Sequence, residues 1–133
     1  MTINREKWRE EILPRLIPEM RNLSHGFSVA DGWKTLVCDL IDHLDTYGVS
    51  YDILQIKEKF GGLRFYCQLK DRKGAFPAGF AASVMKAEGD SLLICEDCGA
   101  PGTRLGDGWI RTLCEPCDQA FLKKRAERWT PKE

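Results

Sequence analysis

The sequence predicts an α+β protein in which helices pack on a β-hairpin and a small four-cysteine module closes the chain. Three observations predict it. Apolar residues recur every three or four positions from Trp33 to Tyr47, the period of a helix with one buried face. After Gly48 the period drops to two, in two runs that flank Gly61-Gly62, a short-loop hairpin signal. Cys95-Glu-Asp-Cys98 and Cys114-Glu-Pro-Cys117 then follow, separated by fifteen residues.

Taken in order, residues 5–13 place Trp8, Ile12 and Leu13 at helical spacing, and Pro14 and Pro18 argue that this helix stops there. Pro14 to Ser28 reads as an irregular connection. The next helix takes Asp31 as its N-cap, buries Trp33, Leu36, Val37, Leu40, Ile41, Leu44 and Tyr47, and ends at Gly48 as a left-handed cap. Its other face carries Asp39, Asp42, His43 and Asp45, which reads as a solvated side, with a metal or a basic partner as the sharper alternative.

The hairpin comprises Tyr51–Phe60 and Leu63–Leu69 about the Gly-Gly loop. That loop sets Phe60 against Leu63, Glu58 against Phe65, Ile56 against Cys67 and Leu54 against Leu69 on an apolar face. The polar face pairs Lys59 with Arg64, Lys57 with Tyr66 and Gln55 with Gln68. Like charges set opposite each other repel, so Lys59 and Arg64 point to a shared anion or carboxylate. Glu58, on the apolar face, needs a partner.

Lys70 to Gly74 is a charged loop, and Pro77 can open a third helix with Phe80, Ala81, Val84, Met85 and Glu88 on successive turns, ended by Gly89-Asp90-Ser91. Arg104 to Leu113 reads as a short hairpin carrying Trp109 and Ile110. The last helix runs from Glu115 to about Trp129, with Phe121, Leu122 and Trp129 apolar.

The pattern C-x2-C-x15-C-x2-C falls inside the spacing of a four-thiolate zinc site, in which Cys95, Cys98, Cys114 and Cys117 lie about 2.3 Å from one ion. Gly99 suits a tight knuckle that needs positive φ. Two disulfides or four unrelated thiols are the bland alternative. Knuckle, hairpin and a second cysteine pair at a helix N-terminus is the order of a treble-clef zinc finger. The expected organisation is therefore a body over residues 1–94 with the Gly-Gly hairpin, and a four-cysteine finger with its helix over residues 95–133. Four protein thiolates leave no open position for an activated water, so the Zn²⁺ is expected to be structural.

Of 133 residues, 43% are hydrophobic, enough for a core. With 20 basic and 20 acidic residues the formal net charge is zero, so attraction to nucleic acid or membrane must come from a local patch. The N-terminal stretch has no apolar leader core and nothing approaches eighteen consecutive apolar residues, so a cytoplasmic protein without a membrane partner is expected. There Cys38 and Cys67 are ordinary core thiols. The two histidines, His25 and His43, match neither an HNH nuclease nor a zinc deaminase, and no nucleotide-binding or nucleophile-elbow motif is present. No enzyme activity and no small-molecule substrate are expected.

The segment Gln55-Ile-Lys-Glu-Lys-Phe-Gly-Gly-Leu-Arg-Phe-Tyr66, with Asp31-Gly-Trp33 before it and Gly108-Trp-Ile-Arg-Thr-Leu-Cys114 after it, resembles a group of small phage- and prophage-encoded zinc-finger proteins. That resemblance implies a phage or mobile-element context and no particular activity. Cys95-Glu-Asp-Cys-Gly99, Thr103-Arg-Leu105 and Leu113-Cys-Glu-Pro-Cys-Asp-Gln119 resemble the finger of DksA/TraR-type regulators, a resemblance that implies RNA polymerase as a partner.

The reading that results is a non-catalytic adaptor or inhibitor that binds a macromolecular partner, a host protein, through Lys57, Lys59, Arg64 and Tyr66. Lys124 and Arg128, in the basic run Lys123–Arg128 of the last helix, form a second candidate surface. A nucleic-acid-binding or polymerase-binding regulator is the alternative, and a rubredoxin-like iron electron carrier is the third.

Overall fold

The computed structural model describes residues 2–128 as an α+β arrangement with a three-stranded sheet in the order β1-β2-β3 and a separate two-stranded hairpin. Helix α1 (Trp8–Ile12) buries Trp8 and Ile12 one turn apart and passes into a 3₁₀ turn, Leu13–Arg15. Pro14 sits early in that turn, where its missing N–H removes no bond. The segment read as irregular holds that turn, helix α2 (Pro18–Arg21) and strand β1 (Phe27–Ser28). Strand β1 escaped the sequence reading because two residues are too few to show a period. It adds in parallel to β2, with Phe27 beside Ile56 and Ser28 beside Lys57.

Helix α3 (Lys34–Asp45) follows a 3₁₀ turn over Asp31–Trp33. Asp31 makes no capping bond, contrary to expectation, and instead pairs with Arg9 at 2.7 Å. Val37, Cys38, Leu40, Ile41 and Leu44 are buried, Leu36 and Tyr47 partly so, and Gly48 takes the left-handed conformation. The acidic face is not simply solvated. Arg5 pairs with Asp39 and Asp42, and Arg15 with Asp45 at 2.7 Å, so the basic partner is the chain's own N-terminal segment.

The hairpin forms, with a different turn. Strands β2 (Tyr51–Lys59) and β3 (Gly62–Leu69) flank Phe60-Gly61, and Gly62 is the first residue of β3. Phe60 at φ 54° and Gly61 at φ 80° supply the two positive φ values a type I′ loop requires. The register therefore sets Lys59 against Gly62, Glu58 against Leu63, Lys57 against Arg64, Ile56 against Phe65 and Gln55 against Tyr66. A bulge at Leu54 then shifts the phase, so Tyr51 and Ile53 are buried where the sequence reading had Leu54.

Helix α4 (Phe80–Ser91) starts after Gly79, not at Pro77, and continues through Gly89 to Ser91. Its buried residues are Phe80, Ala87 and Ser91, and Met85 is 70% exposed. The hydroxyl of Ser91 accepts the N–H of Leu63 at 2.9 Å, and the Glu88 carboxylate that of Phe65 at 3.0 Å. These bonds close part of the free edge of β3. One core joins Trp8, Ile12, Trp33, Ile41, Ile53, Ile56, Leu63, Phe65 and Phe80. The last described elements are strands β4 (Thr103–Leu105) and β5 (Arg111–Leu113) and helix α5 (Glu115–Arg128). Trp109 and Ile110 lie in the loop between β4 and β5, not in a strand, and Trp129 lies outside the described residues.

Candidate metal centre

The first cysteine pair is held by a tight reversal. Gly99, at φ 84°, donates its N–H to the Cys95 carbonyl at 3.0 Å, and Cys95 donates to the Ala100 carbonyl at 2.7 Å. The second pair straddles the start of α5, with Cys114 just before it and Cys117 in its first turn. The four sulfurs lie within 4.8 Å of one another, and the Sγ atoms of Cys98 and Cys114 are 3.6 Å apart. A tetrahedron of sulfurs about 2.3 Å from a central ion has edges of about 3.8 Å, so this donor set fits a metal. Among the described residues it is the one group of three or more metal-ligating side chains so placed.

The electrostatics suit a cation. Burial pushes the Cys95 thiol up, but backbone N–H groups of Cys114, Cys98 and Asp97 outweigh it and bring it down to about 7. Cys117 is pushed up, first by its hydrogen bond with Cys114, since neighbouring thiols resist a second negative charge. Cys38 and Cys67 lie outside the cluster, and burial raises both to about 11, as expected of inert core thiols.

The surroundings bind the centre to the rest of the chain. Gly32 donates to the Glu96 carbonyl at 2.7 Å, and the Trp33 indole to the Ile94 carbonyl at 3.0 Å. A Cβ on Gly32 would stand 2.2 Å from the Cys95 carbonyl oxygen, so only glycine permits this approach. Glu96, 2% exposed, accepts the Thr112 N–H at 2.7 Å, and its other oxygen lies 3.5 Å from Arg111. Burial raises the pKa of this carboxyl, against the Thr112 hydrogen bond and the Arg111 charge.

The hairpin turn docks on the same assembly. The Thr112 hydroxyl donates to the Gly61 carbonyl at 2.7 Å, and Arg104 to the Phe60 carbonyl at 2.8 Å. Glu58 finds its partner locally, accepting the Gly61 N–H at 2.7 Å.

Lys57, Lys59, Arg64 and Tyr66 all project from one face of the sheet, since paired residues and two-residue steps share a side. The opposed like charges are Lys57 and Arg64, not Lys59 and Arg64, because the turn moved by one residue. None of these three cations has an ion pair among the described residues. Tyr66 is 43% exposed. Phe60, 54% exposed beside Lys59, was missed by sequence reasoning, and its signal was an aromatic directly before Gly-Gly. Lys124 and Arg128 stand on α5, lining a cavity of about 550 Å³ with Trp109, Arg111, Phe121 and Arg125. Those four residues were also missed as a group, since only the fold brings a loop, a strand and a helix together.

Fold and site together define a small α+β protein with a four-cysteine centre able to hold a metal ion, and no described helix is long and apolar enough to cross a membrane. The chain matches no known protein-family model, no curated protein and no solved structure.

Proposed function

We propose that this chain is a non-catalytic, zinc-stabilised binding protein whose hairpin face engages an acidic patch on a protein partner, in the cytoplasm and in a phage or mobile-element setting. The observation that carries the reading is the set of cations on that face that have no ion pair among the described residues. Lys57 stands directly opposite Arg64 with Lys59 one step on. Folding gains nothing from such a pair, whereas a carboxylate cluster on a partner is bound by both at once. Exposed Tyr66 and Phe60 beside the cations supply the aromatic-plus-arginine chemistry of binding hot spots.

Zinc, in a treble-clef-like order of knuckle, hairpin and helix, then has a mechanical role. It holds β4 and β5 against Phe60-Gly61 through Arg104 and Thr112, which fixes the outer end of the binding face. The cysteine spacing supports zinc over iron, and elemental analysis with an absorption spectrum decides between them, since a ferric tetrathiolate is coloured.

The test is capture of proteins from host lysate by wild type and by Lys57→Glu with Arg64→Glu. The expected partner is retained by wild type, released as salt rises, and lost by the double variant at unchanged metal content and circular dichroism. Equal capture of the same partner by both proteins overturns the reading.

A further inference from the structure

A different surface carries a second ligand chemistry. The loop residue Trp109 is 54% exposed and meets Phe121 of α5 edge to face, with ring centroids 5.3 Å apart at 89°. The Arg111 guanidinium lies 5.4 Å from the Phe121 centroid. Around this aromatic pair the cavity is completed by Lys124, Arg125 and Arg128. Its volume, about 550 Å³, lies within the roughly 300–1,000 Å³ typical of ligand sites.

Its charge is one-sided. Arg111 is held by Asp97 at 2.8 Å and by Glu96, but Lys124, Arg125 and Arg128 have no ion pair among the described residues. Among the described residues no carboxylate lines the cavity. Nor do the residues of α5 serve the core, because the helix has no buried residue. Beyond Cys117 and the half-buried Phe121, residues 122–128 of the helix are exposed, and among them Lys123, Lys124, Arg125 and Arg128 outnumber the single carboxylate, Glu127.

We infer that the Trp109–α5 cavity binds single-stranded nucleic acid, with a base against Trp109 and phosphates on Lys124, Arg125 and Arg128. This goes beyond the function proposed above, because it uses another surface and another class of ligand. Lys124 and Arg128 are four residues apart, about 6 Å along the helix axis, the scale of neighbouring phosphates on an extended strand. Exposed aromatic rings with interleaved cations are how sequence-tolerant single-strand sites are built. An acidic peptide satisfies the cations and leaves the indole without a stacking partner. A duplex keeps its base faces buried within the stack.

The test is fluorescence anisotropy of the full chain, metal-loaded, with a labelled oligothymidylate of about 16 nucleotides, the upper end of single-strand site sizes. Wild type is expected to bind with an affinity that falls steeply as salt rises. Trp109→Ala should weaken binding about tenfold, Trp109→Phe should retain most of it, and Lys124→Glu with Arg128→Glu should abolish it. These residues are exposed, so matched circular dichroism and metal content are expected in all variants. Lys57→Glu with Arg64→Glu should leave this binding unchanged, which separates the two surfaces. Absence of binding by wild type overturns the inference. So does a duplex or polyglutamate that binds as tightly as the oligothymidylate, or a Trp109→Ala variant that binds as wild type does.

Discussion

Asp45 shows how much of the N-terminal organisation rests on single side chains. Arg15 holds it with two hydrogen bonds, at 2.7 and 3.0 Å, and the Tyr51 hydroxyl donates a third at 3.0 Å. Burial pushes the carboxyl pKa up, but the bonds from Arg15 and Tyr51 outweigh it and hold it below the usual carboxylate value. The sign follows directly. A depressed folded-state pKa gives stability that is present above the unfolded carboxylate value and lost as pH falls through the folded one. Asp45→Asn should therefore cost about 1.5–3 kcal/mol at neutral pH, the worth of a hydrogen bond to a charged group. The gap to wild type should close as the solution is acidified below the ordinary range for aspartate. Urea unfolding at both pH values checks this, and a gap that is constant with pH refutes it. Asp45 could be assigned in the sequence to the outer face of α3, but its partner could not, since Arg15 is thirty positions away.

At the scale of elements, the hairpin turn is the informative case. Asn-Gly or Gly-Gly would serve a type I′ loop without strain, yet the chain places Phe60 at φ 54°. A bulky residue in that conformation costs about 1–2 kcal/mol. Gly61 is pinned instead by its neighbours, for an added Cβ would lie 3.2 Å from the backbone of Arg111 and Thr112. Phe60→Asn should thus raise stability by about 0.5–1 kcal/mol, read as a higher midpoint in denaturant. Lower stability would mean that the half-exposed ring contributes to folding more than the strain removes. If the gain in stability comes with weaker capture of the partner, Phe60 belongs to the binding face, as proposed here. Helix α4 teaches the complementary point. Its pattern Phe80, Val84, Ala87, Ser91 follows one stripe, but Ala81 and Met85 also fit a helical period, and only packing against β3 chooses between them.

For the molecule as a whole, the four-cysteine centre is the joint between elements distant in sequence. The backbone of Glu96 bonds Gly32 and Thr112, and Thr112 bonds Gly61, so three separate segments meet beside the four cysteines. On the zinc-stabilised reading proposed above, removal of the metal should therefore be felt beyond residues 95–128. Cys98→Ser is expected to lose stoichiometric zinc, and chelation should remove hydrogen-exchange protection not only from residues 95–128 but also from Gly32, Trp33 and Gly61. The helical core around Leu40 and Ile41 should keep its protection longer, because its burial does not depend on the cysteines. Retention of zinc by Cys98→Ser, or exchange confined to residues 95–128, would contradict this coupling.

Three features were legible in the linear order of residues: the cysteine spacing, the helical period of α3 and the change of period into the hairpin. Each is a local property, because side-chain direction follows from 3.6- or two-residue geometry and a C-x-x-C pair turns back upon itself. The tertiary structure alone decided which residues occupy the turn, that Lys57 rather than Lys59 faces Arg64, and which stripe of α4 is buried. It also decided that Gly32 and Trp33 bond the segment at Ile94–Glu96, and that Trp109 meets α5. Trp109 and Phe121 are twelve residues apart, and the others turn on close approach between segments more distant still, as at Gly61 beside Arg111 and Thr112. There a single Cβ at Gly32 or one hydroxyl at Thr112 outweighs local preference, and no period in the chain records it.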